Sequence, residues 1–138
     1  MKLPTFSAVA ALALVSAAPL ARAETAADFI AGFQGEARQS DPSFKGFSAS
    51  RGQAFFTAKH GNEWSCSSCH TDNPLQSGKH AKTGKSIAAL APAANPERFS
   101  SAAKVEKWFK RNCNDVLGRA CTAQEKGDVL TWLAGLKK

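Results

Sequence analysis

Three features of this 138-residue chain predict an all-α fold. Apolar residues recur at helical spacing in four separate stretches, and no stretch shows the alternation of a strand. The third is the pentapeptide Cys66-Ser67-Ser68-Cys69-His70, which offers a covalent anchor for a large prosthetic group. Two cysteines spaced by two residues and followed at once by histidine can form thioethers to the two haem vinyls while the imidazole reaches the iron. A zinc or redox C-x-x-C is the competing reading, but it needs a second ligand pair or a βαβ pattern, and neither is visible. The motif therefore predicts one covalently bound haem c. The expected architecture is three core helices around that haem, an extra N-terminal helix and a long haem-wrapping loop.

The chain starts with Lys2, an apolar stretch from Phe6 to Leu20, and then Ala21-Arg22-Ala23. These are the n-region, h-region and A-x-A site of a secretory signal, which predicts cleavage after Ala23. The apolar run is short for a membrane span and is flanked by Pro4 and Pro19. Residues 1–23 are thus read as a leader and 24–138 as a cytochrome c domain. The remaining 115 residues suffice for one domain but not for a generous core, so the haem would supply a large part of it. The net charge of +7 falls to +5 when Lys2 and Arg22 leave. A small, moderately basic protein suits docking to an acidic redox partner, and nothing points to nucleic acid. No other stretch is long and apolar enough to cross a membrane, so a soluble monomer is expected. The expected compartment is the periplasm, because bacterial haem c is attached after export and the remaining cysteines can be oxidised there.

Thr25 to Ala37 carries Phe29, Ile30 and Phe33 on one helical face, and Ser40-Asp41-Pro42-Ser43 reads as a turn. Ser48 or Ser50 can cap a second helix running to about His60. Gly52, Phe55, Phe56 and Lys59 form its inner stripe, with Gly52 allowing another helix to approach closely. Gly61-Asn62 ends it, and Trp64 leads into the haem motif, where it could cover the porphyrin edge.

Thr71 to Ser100 lacks periodicity and contains Pro74, Pro92 and Pro96, a length that is unusual unless the loop wraps something. Lys79, His80, Lys82 and Lys85 crowd one part of it, where they could bind propionates or a partner or simply be solvated. Ser100 or Ser101 caps a helix from Ala102 to about Asn112, with Val105, Trp108 and Phe109 inward and Asn112 at its end on the same stripe. Thr122, with Glu125 three residues on, opens the last helix, whose inner stripe is Val129, Trp132, Leu133 and Leu136.

What completes the iron site is less obvious. The only methionine, Met1, leaves with the leader, so the thioether ligand of ordinary electron-carrier cytochromes c is absent from the mature chain. His60, His80, a lysine, a cysteine, an asparagine or nothing remain. His60 sits at a helix end, and His80 is ten residues past His70, a reach that suits the haem rim. Cys113 could bind as thiolate, but Cys113 and Cys121, left over in an oxidising compartment and eight positions apart, favour a disulfide.

The run Lys104-Val105-Glu106-Lys107-Trp108-Phe109-Lys110-Arg111-Asn112-Cys113-Asn114 is followed by Gly118-Arg119-Ala120-Cys121-Thr122. Together with Asn95-Pro96-Glu97-Arg98-Phe99 it resembles sphaeroides haem protein, an oxygen-binding class I cytochrome c family. The resemblance extends from about Gly46 to Leu133. It implies a class I cytochrome c fold, a proximal ligand at His70, a Cys113–Cys121 disulfide, and an asparagine ligand at Asn112 that is bound in the ferric state and leaves on reduction. It further implies a dihaem cytochrome c and a membrane cytochrome b as electron donors, and a role as a small terminal oxidase or as an oxygen or nitric-oxide reductase.

Residue chemistry agrees on the ligand. An amide oxygen is a hard, weak donor better matched to Fe(III) than to Fe(II), so reduction should open a site for O₂, CO or NO. The residues themselves leave catalysis open, since no distal group that would protonate bound oxygen is identifiable. The rival function is a plain electron carrier whose sixth position stays filled by Asn112 or His80. Lys79, Lys82, Lys85, Lys107 and Lys110 are the residues expected to dock a partner.

Overall fold

The computed structural model describes residues 22–61 and 63–138; residues 1–21, which hold most of the expected leader and Met1, and Asn62 lie outside the described residues. Helix α1 (Ala26–Ser40) starts where the Asp28 carboxylate accepts both the backbone N–H of Thr25, at 2.8 Å, and its hydroxyl, at 2.7 Å. Such an acid in the first turn also suits the positive end of the helix dipole. Helix α2 (Ala49–Thr57) is capped by Ser48, whose hydroxyl accepts from Arg51 N–H. Helix α3 (Ser67–His70) is a single turn, and strands β1 (Gly78–Lys79) and β2 (Ser86–Ile87) pair antiparallel. Helices α4 (Ala102–Leu117) and α5 (Ala123–Gly135) complete the chain. Among the described residues no helix is long and apolar enough to cross a membrane.

Helix α5 is the centre of the packing. It is buried nearly all round, through Gly127, Val129, Leu130, Trp132 and Leu133, and lies against both α1 and α2. Phe56, Val129, Trp132 and Leu133 form one core cluster, and Phe33, Val105 and Leu130 another. Phe99 packs against both. Each fully buried side chain of the Leu or Phe type contributes about 2 kcal/mol, so the two clusters are the main apolar stabilisation.

The close approach expected at Gly52 is present. A Cβ there would overlap the Asp128 carbonyl of α5, so only glycine lets α2 cross at this depth. The same junction carries a buried carboxylate. Asp128 is 4% exposed and accepts from Arg51 Nε at 2.8 Å, Arg51 Nη2 at 2.9 Å, Gln124 Nε2 at 3.0 Å and Ser48 N–H at 2.6 Å. A charge so enclosed is tolerated because its lone pairs are filled.

The all-α reading holds, with corrections at the element ends. Helix α2 stops at Thr57, before His60, and Lys59 is exposed rather than inward. The cause is local: His60 Nε2 lies 2.8 Å from the Phe55 carbonyl, so the imidazole takes up a helix-end acceptor in place of a further turn. Helix α4 runs five residues past Asn112 to Leu117, where Gly118 closes it in the left-handed conformation at φ 73°. Nothing in Cys113-Asn114-Asp115-Val116-Leu117 breaks a helix, and Cys113 and Val116 carry on its buried stripe. Asn112 is therefore inside a helix and not at its end. Trp108, expected inward, is 46% exposed. The two-residue strands are too short to have shown alternation in the sequence.

Candidate haem-binding site

The attachment motif is shaped by its serines. Ser65, buried at 6% exposure, donates its N–H to Ser68 Oγ at 3.0 Å, and its own Oγ accepts the Ser68 N–H at 3.0 Å. This reciprocal pair starts the turn of α3, in which the Cys66 carbonyl accepts from Cys69 N–H at 3.3 Å and His70 N–H at 3.1 Å. One helical turn thus places Cys66, Cys69 and His70 on neighbouring positions of the same side.

Burial pushes the Cys66 thiol up to about 11. Burial, and then the nearby Arg98 charge, lowers His70 to about 4. Its imidazole is neutral at pH 7, with a lone pair free for a metal. The His70 ring sits 6.3 Å from that of Phe56, which ties the motif to the core.

The segment after the motif is pressed onto it. A Cβ on Gly78 would overlap the Cys69 carbonyl, so glycine is what lets β1 pass against α3. Ala81 N–H then points at Cys69 Sγ, 3.3 Å away. His80 is held in the hairpin turn: its N–H donates to the Lys85 carbonyl at 2.8 Å, its carbonyl accepts from Gly84 at 2.8 Å, and its Nδ1 accepts from Thr83 at 3.2 Å. Further on, the Pro74 carbonyl takes the N–H groups of Leu90 and Ala91, both at 3.0 Å. Arg98 binds the carbonyls of Ala88 at 2.8 Å and Ala89 at 3.1 Å. The long loop is therefore ordered by its own backbone.

Helix α4 borders this assembly at its C-terminal turn, through Asp115 and Val116. Val105, Cys113 and Val116 are buried, Phe109 and Asn112 are half-buried, and Asn114 is exposed on another side. Among the described residues nothing hydrogen-bonds the Asn112 side chain. A pocket lined by Trp64, Ser65, Cys69, His80, Lys82 and Val116 joins the motif, the hairpin and α4, with Val116 one turn beyond Asn112. The Cys113–Cys121 disulfide is formed, with Cα atoms 5.5 Å apart, and links α4 to the residue before the Thr122 cap of α5. His60 does not join the group, being bonded to Phe55 O and packed on the Phe55 ring.

Ser65, Gly78 and Arg98 escaped the sequence reading. The three-residue spacing of Ser65 and Ser68 is a capping signal that could have been found, whereas Gly78 and Arg98 act through folded-state contacts alone. The donor set fits a covalently attached haem: two sulfurs on one turn, a neutral imidazole beside them, and an aromatic and aliphatic wall from Trp64 and Val116. Cys66 and Cys69 would hold the porphyrin and His70 the iron, and the bound group would supply one-electron redox chemistry and a coordination position.

Residues 42–133 match the family described as Domain of unknown function (DUF1924). The chain is 44% identical over 128 residues to the cytochrome c-type protein SHP of Cereibacter sphaeroides, covering 89% of this chain and 94% of the relative. It is 38% identical over 137 residues to cytochrome c'' of Methylophilus methylotrophus, covering 96% and 94%. Among solved structures it is similar to oxidised SHP, described as an oxygen-binding cytochrome c, with a TM-score of 0.74 and 40% identity over 83% of this chain and all of that one. It is also similar to the solution structure of Methylophilus methylotrophus cytochrome c'', a study of haem-ligand detachment, with a TM-score of 0.73 and 37% identity over 82% and 94%.

Proposed function

The chain belongs to the family of cytochromes c that includes SHP and cytochrome c'', and from that membership we propose a periplasmic monohaem cytochrome c that binds a diatomic gas when reduced. Cys66 and Cys69 carry the haem, His70 is the permanent iron ligand, and Asn112 is the sixth ligand of the ferric state. On reduction the hard amide oxygen loses its preference for the iron, Asn112 leaves, and O₂, NO or CO takes its place. A dihaem cytochrome c and a membrane cytochrome b are proposed as electron donors on resemblance, and residues 1–23 as the export signal.

The observation that carries this reading is the half-buried Asn112 amide, without a hydrogen-bond partner among the described residues, on the α4 stripe that reaches the Cys69 pocket through Val116. Of the rival histidines, His60 is engaged with Phe55 O, and His80, which lines the same pocket, has its Nδ1 taken up by Thr83 N–H. That a cytochrome c'' relative was studied for haem-ligand detachment supports a labile sixth ligand.

Asn112→Ala, with Asn114→Ala as control, tests the assignment. The ferric visible spectrum should change spin state in the first variant and stay as wild type in the second. An unchanged Asn112→Ala spectrum would remove Asn112 from the iron.

A further inference from the structure

We infer that the hairpin 77–87 is the docking surface for an acidic one-electron donor protein, delivering the electron beside Cys69. The inference deepens the proposed function, resting on its assignment of Cys69 as a haem anchor.

Two independent observations meet at this hairpin. The first is charge. Lys79, Lys82 and Lys85 are all exposed, and no carboxylate occurs between Asp72 and Glu97. None of the three lysines takes part in an ion pair among the described residues. The second is proximity. Gly78 seats the hairpin directly on the Cys69 backbone, and Ala81 N–H reaches Cys69 Sγ at 3.3 Å. A partner resting on the lysines is thus separated from the anchoring sulfur by one layer of backbone. Lys82 also lies over the Trp64 ring, 6.0 Å from its centroid, so an aromatic surface adjoins the charged one.

The other basic face, on α4, differs in the first property, since its charge is mixed. Its Lys104, Lys107 and Lys110 are interleaved with Glu106, and Lys107 and Arg111 are drawn onto Trp108 at 5.9 and 5.7 Å. Concentrated, unpaired charge steers an oppositely charged partner better than mixed charge does. The step itself transfers one electron from the donor to ferric iron, giving ferrous iron and a donor oxidised by one equivalent, with no atom or proton moved.

The test compares K79E/K82E/K85E with K104E/K107E/K110E in the haem-loaded protein, since both triples change the net charge equally and differ only in place. Flavodoxin serves as the acidic probe. Its oxidised form is titrated calorimetrically into the ferric protein, and its hydroquinone is used to reduce that protein in stopped flow. The hairpin triple should weaken binding and slow reduction by about tenfold or more at low salt, and the α4 triple by about twofold or less. Added salt should erase the difference. Equal losses in the two triples, or a larger loss in the α4 triple, would overturn the assignment. Covalent haem is checked by mass in every variant, so a chain lacking it contradicts the proposed function and is distinguished from a docking failure.

Discussion

The corner that carries Asn112 and the turn that carries the haem cysteines are held in opposite ways. At the α4–α5 corner, Gly118 closes the helix, the Cys113–Cys121 disulfide crosses the gap, and Arg119 forks onto Glu125 at 2.8 and 2.7 Å. Thr122 and Glu125 then complete a capping box. The attachment side has no covalent link within the chain. It relies on a one-turn helix, a glycine contact and backbone hydrogen bonds through the 71–100 loop. The contrast bears on how a ligand is released. Asn112 has five helical residues after it and a disulfide at the next position, which hold its backbone, so the proposed departure from iron would be a side-chain rotation between staggered rotamers. The attachment turn, by contrast, would gain its cross-links from the proposed thioethers.

Several substitutions can break or sharpen this comparison. Gly78→Val puts a branched side chain into the Cys69 carbonyl and should destabilise the fold by about 3 kcal/mol, read from the urea midpoint. A midpoint equal to wild type would mean that the hairpin does not seat on α3. Removing the disulfide as C113S/C121S should cost about 2.5 kcal/mol by the loop-closure estimate. Because the helix continues through Cys113, the ferric spectrum should survive that change. Its loss would make the disulfide, and not the helix, the element that positions Asn112. Thr122→Ala should cost about 1 kcal/mol in the same denaturation assay, through the lost bond to Glu125 N–H.

The smallest effect is a pH dependence. Burial raises the Glu125 pKa, but its bonds to Arg119 and Thr122 more than offset this and hold it below the ordinary carboxylate value. A depressed folded value contributes stability above the carboxylate range, and that contribution is lost as pH falls through it. The stability gap between wild type and Glu125→Gln should therefore narrow in acid. A gap that widens in acid would reverse the assigned sign.

Local signals were legible in advance where chemistry acts over a few residues. The Cys66 to His70 motif, the Thr122 and Glu125 cap, the Ser48 cap and the glycine contact at Gly52 all read directly from spacing. Leftover cysteines in a chain read as exported pointed to the disulfide that forms. Helix ends did not read as well. The apolar period faded after Asn112 although nothing stopped the helix, and His60 ended α2 through a side-chain contact that periodicity cannot register. Trp108 obeyed the helical period yet lies 46% exposed, because Lys107 and Arg111 share its surroundings and the buried stripe turns toward Cys113. The ordering of the 71–100 loop depends on Gly78, Pro74 and Arg98 meeting distant backbone, which no local pattern encodes.

Release of Asn112 on reduction is tested most directly by the visible spectrum of the dithionite-reduced protein, recorded without and then with carbon monoxide. A high-spin ferrous spectrum that shifts at once on adding the gas is the predicted result. A low-spin ferrous spectrum indifferent to carbon monoxide would contradict the account, leaving an electron carrier whose sixth position stays filled and returning His80 as a contender for it.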